Sequence, residues 1–295
     1  MNKWSFFLSI LLLFSCSEKE THLKEDNLKG NVTEVSEILY KADAIQNGYN
    51  EQTKAYQGHL FKKYNTNGNR TCVQVMGKGG VVLHSKIFDY NDAQLCTEIE
   101  TYDYLYNGEH EYRGKYIFEY KGQKKQTLLK IDSNNDTIDI HTFSYKVADK
   151  IVENVTNFVT KNKFTYENSY ENGRLVQQVI KDSTGHITNQ MLWQNNAYGD
   201  NIKYTNSVPS SDKTQIDSFA YEYDAVKNWV KKYRFNSDGT LLNITKRHIV
   251  YNNHKDGFVK STEMVMGVGL LMLFFLILIL CRLYKRYNLS KNATL

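Results

Sequence analysis

Four tyrosines close together in the sequence are the side chains best suited to binding chemistry. A tyrosine ring has a flat apolar face and a polar hydroxyl, so it can stack on a sugar ring or anchor a protein partner. Alternate residues of a β-strand point to one face, which places three of the four on one side of a strand that ends at Asn107-Gly108. The sequence therefore predicts a binding surface formed by Tyr102, Tyr104, Tyr106 and Tyr112.

The residue types that carry catalysis and metal binding do not form a known motif. The 8 histidines are scattered, without the His-x-x-x-His or Cys-x-x-Cys spacing that places two ligands on one metal, and no Gly-x-Ser-x-Gly elbow occurs. Residues 132–136 alternate oxygen ligands as a calcium loop does, but Thr137 stands where the loop needs glycine, so a hairpin turn is favoured. We predict no catalytic residue, no metal site and no cofactor, and hence a protein that is not an enzyme.

The 4 cysteines divide into two at the ends of the chain and two between them, Cys72 and Cys96. These two follow equivalent tyrosines and are expected in strands separated by a third strand. Such strands lie about 9.6 Å apart, whereas a disulfide needs Cα atoms within about 7 Å. Two free thiols are favoured, with a disulfide as the alternative.

The net charge of +5 does not indicate a nucleic-acid partner. Lys3 and four basic residues beyond position 281 lie at the two ends, and the long region between them is about neutral. A nucleic-acid interface would need a surplus of lysine and arginine, so this class of partner is excluded.

A tyrosine recurs along the chain with a nearly constant period, which predicts a repeated structural unit. Successive tyrosines of this series are 26, 30, 25, 25, 28, 25 and 28 residues apart. Within a unit, short runs rich in β-branched and aromatic residues flank turn formers such as Asn236-Ser237-Asp238-Gly239, the pattern of a β-hairpin. For the tyrosines of the series, packing between hairpins is favoured over binding. They are Tyr64, Tyr90, Tyr120, Tyr145, Tyr170, Tyr198, Tyr223 and Tyr251.

These units resemble the YD-type repeats of the RHS family and related short envelope lipoproteins. The resemblance is carried by Tyr170-Glu171-Asn172-Gly173-Arg174-Leu175, by residues 64–70 and by residues 223–229, and it covers roughly residues 60 to 252. It implies tyrosine-punctuated β-hairpins, which in the large relatives wind into a shell around a toxin. Seven units are expected to be too few to enclose anything, so the toxin activity is not carried over.

The two ends of the chain predict a location in the cell envelope. Residues 1–16 resemble a bacterial signal peptide with a lipobox, in which Cys16 becomes lipidated, with a plain signal peptide or an uncleaved anchor as the alternatives. Residues 264–284 are long and apolar enough for a transmembrane helix, and the basic tail at 285–295 is expected to stay cytoplasmic. Residues 17–30 are predicted as a tether and 31–260 as the ectodomain, beginning with a strand, or alternatively a short helix, at 31–40.

The predicted fold is all-β, an antiparallel meander of about seven repeated β-hairpins followed by one C-terminal transmembrane helix. The expected location is the cell envelope, with the protein in the inner membrane and its ectodomain periplasmic or extracellular. The expected function is that of a membrane-anchored binding or scaffolding protein, with the membrane, and envelope polysaccharide or protein, as partners. The alternatives are an envelope hydrolase with a site built from loops of different repeats, and an accessory or immunity protein to a secreted toxin.

Overall fold

The structure, a computed structural model, describes residues 21–42, 56–105, 108–146, 149–211 and 213–252. The chain divides into two compact units, Met1–Tyr251 and Asn252–Leu295, and every element described below belongs to the first. One short helix, α1 (His22–Glu25), precedes sixteen strands. They are β1 (Val32–Lys41), β2 (Tyr56–Tyr64), β3 (Arg70–Met76), β4 (Val82–Tyr90), β5 (Cys96–Tyr104), β6 (His110–Lys121), β7 (Lys124–Asp132), β8 (Thr137–Tyr145), β9 (Lys150–Asn157), β10 (Lys163–Glu171), β11 (Arg174–Lys181), β12 (Ile187–Asn195), β13 (Asn201–Val208), β14 (Lys213–Tyr223), β15 (Trp229–Phe235) and β16 (Leu241–Tyr251).

The strands form a closed antiparallel barrel in which each strand pairs with its neighbours in sequence. Closure is made by β1 and β16, which pair from Val32 opposite Tyr251 to Lys41 opposite Asn243. The predicted meander of hairpins was therefore right about strand order. It was wrong in fold class, because the sheet closes into a barrel, whereas an open sheet would leave unpaired backbone groups along both edge strands. The expectation that so few repeats enclose nothing was also wrong.

The predicted transmembrane helix is not supported. Within the described ranges, the structure contains no helix with the length and hydrophobicity that a membrane crossing demands. Residues 264–284, on which this expectation rested, lie outside the described residues, as do the basic tail and the signal peptide with Cys16.

The tyrosine series marks one rim of the barrel. Tyrosines of the series end β2, β4, β8, β14 and β16, lie one residue before the end of β6 and β10, and occupy the turn after β12. Even-numbered strands all run toward the same rim, so the series gathers there. Residues 31–40, predicted as a strand with a short helix as the alternative, form most of β1.

The inner face of the barrel is identified by side chains that meet across it. Val75 of β3 and Tyr204 of β13 line one cavity, although five strands lie between β3 and β13 along the sheet through the closure. Glu37 lines the same cavity and stands directly opposite Arg247 and Leu60 on the neighbouring strands. Because side chains alternate along a strand, these positions fix which residues face inward and which form the outer wall.

Residues 21–30 cross the tyrosine-bearing rim and cover it. At one side, the Leu23 N–H donates to the Gly68 carbonyl in the β2–β3 turn. At the other side, the Lys29 N–H donates to Asn228 Oδ1 at 2.8 Å, and Asn228 Nδ2 donates back to the Lys29 carbonyl at 2.8 Å. Leu28 joins Val32, Val35 and Tyr64 in the buried hydrophobic cluster beneath this segment.

Asp26 is the polar centre of this cover. Its carboxylate accepts hydrogen bonds from Lys62 Nζ at 2.9 Å, Tyr64 Oη at 2.7 Å and Arg70 Nε at 2.7 Å. Its side chain is only 10% exposed. Burial acts to raise the pKa of Asp26, but the hydrogen bond from Arg70 and the charge of Lys62 outweigh burial and hold that pKa at about 2.

Replacing Asp26 with asparagine is expected to destabilise the barrel. The substitution leaves two buried cations without their shared carboxylate, which costs about 3 kcal/mol of unfolding free energy. Urea denaturation measures this loss. Glu25→Gln is the matched control, because Glu25 also reaches Arg70, at 3.4 Å, but its side chain is 65% exposed and should contribute less than about 1 kcal/mol. Equal losses for the two variants would contradict the central role of Asp26.

The stabilisation by Asp26 should disappear in acid. The pKa of Asp26 in the folded protein, about 2, lies below the ordinary value of 3.8. Folding therefore favours the ionised carboxylate of Asp26. The stability difference between the wild type and Asp26→Asn is therefore expected to be complete above about pH 4 and to shrink as the pH falls from 4 toward 2. Urea unfolding of both proteins at a series of pH values tests this, and a difference independent of pH across that interval would refute it.

Candidate functional site

Three of the four tyrosines predicted to bind a ligand come together on the outer wall of the barrel. Tyr102 stands opposite Tyr112 and Tyr104 opposite His110 in the pairing of β5 with β6. The Tyr102 ring centroid lies 5.6 Å from that of Tyr112 and 5.5 Å from that of His110, and the Tyr104 centroid lies 5.7 Å from His110. We call Tyr102, Tyr104, His110 and Tyr112 the aromatic cluster. The remaining predicted residue, Tyr106, lies outside the described residues.

His110 is the member that the sequence reasoning missed. It begins β6, two residues after Gly108, and stands opposite Tyr104, the last residue of β5. The signal was present in the sequence, because a hairpin turn at Asn107-Gly108 pairs the strand before it with the strand after it.

A β-bulge places Tyr112 in this cluster. The register of β5 and β6 shifts between Thr101, which stands opposite Gly114, and Tyr102, which stands opposite Tyr112. Gly114 has a φ of +127°, a region that favours glycine, and Thr101 Oγ1 donates to its carbonyl at 2.8 Å. The extra residue of the bulge turns Tyr112 to the same side as Tyr102.

Hydrogen bonds hold two of the rings in place. Tyr102 Oη donates to Glu100 Oε2 at 2.7 Å, and this hydrogen bond to the carboxylate raises the pKa of Tyr102 to about 12. The Ser85 hydroxyl donates to Tyr104 Oη at 3.3 Å from the neighbouring β4. The three tyrosines are partly exposed, so the cluster offers ring faces to solvent while the hydroxyls of Tyr102 and Tyr104 are anchored.

The other candidate residues of the sequence do not form a reactive centre in the described part of the chain. Cys72 and Cys96 are both free thiols, as favoured from their spacing, and burial raises the pKa of Cys96 to about 11. Residues 132–136 form the expected turn, in which Asp132 Oδ1 accepts the N–H groups of Asn134 and Asp136. Among the described residues, no group of three or more His, Cys, Asp or Glu side chains could hold a metal ion.

Comparison with known proteins gives structural similarities at low sequence identity. No family model and no curated protein matches the chain. A porin-like protein from Bacteroides vulgatus is 12% identical, with a TM-score of 0.39 over 76% of this chain and 100% of that chain. A porin-like protein from Bacteroides uniformis is 10% identical, with a TM-score of 0.35 over 74% of this chain and 98% of that chain. A structure of TcdB2-TccC3-Cdc42 is 12% identical, with a TM-score of 0.28 over 72% of this chain but only 11% of that chain.

Identities and TM-scores this low assign neither a family nor an activity. The resemblance to YD-type repeats therefore rests on the tyrosine and turn motifs of the sequence.

Substitution of Gly114 should disrupt both the bulge and the aromatic cluster. A Cβ at this position would overlap the Ile131 carbonyl oxygen, and the backbone angle is unfavourable for any other residue. Gly114→Ala is expected to cost more than about 2 kcal/mol of unfolding free energy, because neither obstacle can relax cheaply. Thermal or urea denaturation measures the loss, and near-ultraviolet circular dichroism should report a changed tyrosine environment.

Gly122→Ala is the matched control for this prediction. Gly122 also has a positive φ, +61°, but a Cβ there meets no heavy atom within 4 Å. The control is expected to lose only about 1 kcal/mol, the cost of the left-handed backbone conformation alone. A loss at Gly114 no larger than at Gly122 would argue against steric exclusion at the bulge.

Proposed function

We propose that this barrel is a binding protein of the cell envelope, and that its aromatic cluster holds envelope polysaccharide. The observation that carries the proposal is the arrangement of four rings on one patch of the outer wall, with centroids 5.5 to 5.7 Å apart. A pyranose ring has an apolar face of C–H groups and a rim of hydroxyls. Partly exposed tyrosine faces beside a carboxylate match both features.

The preorganisation of the rings supports binding. Tyr102 and Tyr104 are each fixed by a hydrogen bond through the hydroxyl, so little side-chain freedom remains to be lost when a ligand stacks on the ring. The second oxygen of Glu100 is available to accept a sugar hydroxyl next to the rings.

Ion pairs on the outer wall support the view that this wall is in contact with water. Lys115 pairs with Glu98 at 2.9 Å, and Lys231 pairs with Glu222 at 3.1 Å. Glu167, in the middle of β10, pairs with Lys150 at 3.2 Å. A wall in contact with lipid would instead carry a continuous apolar band. An aqueous wall leaves the aromatic cluster accessible to a hydrated polysaccharide.

The envelope location is inferred from the N-terminal sequence. Residues 6–14 are apolar apart from Ser9 and precede Cys16, the pattern of an exported and lipidated protein. Lipidation of Cys16 stays a prediction, as does the resemblance to repeat-bearing envelope lipoproteins.

Serine substitution of the cluster tyrosines tests the proposal. We expect the full-length triple variant Tyr102→Ser, Tyr104→Ser, Tyr112→Ser to lose at least about tenfold in affinity for purified peptidoglycan, because truncating even one tyrosine that is a binding hot spot costs about 2 kcal/mol or more and tenfold corresponds to about 1.4 kcal/mol. Co-sedimentation with peptidoglycan sacculi measures binding, and titration with chitotetraose measures it for a soluble fragment.

The control is a tyrosine on the same outer wall but outside the cluster. Tyr233 of β15 faces outward beside Glu222 and hydrogen-bonds to it, so Tyr233→Ser removes an equivalent ring elsewhere. The control should bind as the wild type does. Wild-type protein that binds neither probe, or a triple variant that binds both unchanged, would overturn the proposal.

A further inference from the structure

The inner wall of the barrel lines a cavity that is separate from the aromatic cluster. This cavity of about 550 Å³ lies in the half of the barrel remote from residues 21–30, within the size range of small-molecule pockets. Its apolar wall is formed by one side chain from each of five strands, namely the adjacent β1, β2 and β3 and the adjacent β13 and β14. The five side chains are Leu39, Leu60, Val75, Tyr204 and Phe219.

The positive and negative charges of this pocket do not balance after its ion pairs are counted. Its two carboxylates are both engaged: Asp217 accepts from Arg234 at 2.8 Å, and Glu37 accepts from Arg247 at 2.7 Å. Lys62, at 3.8 Å, also approaches Glu37. The pocket therefore offers no carboxylate that is free to balance another cation.

Lys232 is that other cation. It lines the pocket, and its ammonium lies 5.3 Å from the centroid of the Trp229 ring and 6.0 Å from that of Phe219. Among the described residues, the ammonium has neither an ion pair nor a hydrogen bond. Burial lowers the pKa of Lys232, opposed by the charge of Glu37 and assisted by Arg247, Lys62 and Arg234. A half-buried ammonium among other cations is stabilised by any anion that enters beside it.

We propose that this pocket binds a small organic carboxylate whose apolar body lies against the leucines and Phe219 and whose carboxylate pairs with Lys232. One uncompensated cation matches one negative charge. A phosphate group carries a charge of about −1.5 to −2 and three strong acceptor oxygens, which calls for more donors than one ammonium beside an arginine already held by Asp217. The site is separate from the aromatic cluster on the outer wall, so it stands or falls independently of the proposed polysaccharide binding.

Isothermal titration of the full chain with octanoate and with uncharged 1-octanol tests the proposal. The wild type is expected to bind octanoate at least about tenfold more tightly than 1-octanol, the scale of one charge-assisted hydrogen bond. Lys232→Met should remove this preference while leaving the binding of 1-octanol unchanged. Octyl phosphate is the third probe, and tighter binding of octyl phosphate than of octanoate would replace the carboxylate assignment with a phosphate site.

Two further variants keep the test decisive. Lys231→Met is the matched control, because Lys231 is the adjacent residue but pairs with Glu222 on the outer wall, and this variant should bind octanoate as the wild type does. Lys232→Arg keeps the cation and should retain most of the octanoate affinity even if Lys232→Met folds poorly by circular dichroism. No binding of octanoate by the wild type, equal binding of octanoate by Lys232→Met, or an equal loss in Lys231→Met would overturn the proposal.

Discussion

The pairing of β1 with β16 is the constraint on which the rest of the structure depends. It joins residues about two hundred positions apart in sequence, and without it the remaining strands form a sheet with two open edges. The same seam contains the buried Glu37–Arg247 ion pair, in which the arginine side chain is only 5% exposed. Closing so long a loop has an entropic cost that local hairpins avoid, so the seam must be stabilised by contacts of its own, among them the burial of Val32 and Val35.

Closure also determines why the interior is charged. A barrel of sixteen strands is wider than its own side chains can fill, in contrast to a barrel of eight. Inward positions can therefore hold lysine, arginine and carboxylate side chains, provided that each buried charge finds a partner or water. Asp26 supplies one such partner from residues 21–30, and Asp217 and Glu37 supply others from the wall. Among the described residues, Lys232 has no such partner, and its ammonium lies near the rings of Trp229 and Phe219 instead.

The sequence predicted the repeated unit and much of one functional patch, for clear physical reasons. A tyrosine at the end of every second strand recurs in the sequence at the length of one hairpin, so the period is visible without a structure. The placement of Tyr102 and Tyr104 on one face follows from strand alternation. Closure was not visible in this way, because the pairing of Val32 with Tyr251 is a property of the two ends together and leaves no local pattern.

The inner pocket was hidden for a related reason. Alternation along β15 separates Lys232 and Arg234 from Tyr233 and Phe235, but alternation alone does not say which set faces inward. The usual expectation, that the aromatic set is buried, fails here: the lysine and arginine line the interior, and Tyr233 faces outward to Glu222. A register shift between Glu222 and Tyr223 then brings Trp229 to the inner side, where it lies over Arg247 and near Lys232.

The two proposed sites both lie in the half of the barrel that is remote from the rim covered by residues 21–30. Residues 21–30 tie the tyrosine-bearing rim together through Asp26 and Asn228, and the pocket lies in the other half of the barrel. The aromatic cluster lies on the wall at the same half, since Tyr104 ends β5 and His110 begins β6 at the rim opposite the tyrosine series. Both recognition surfaces would then face the same way, one inside the barrel and one outside it.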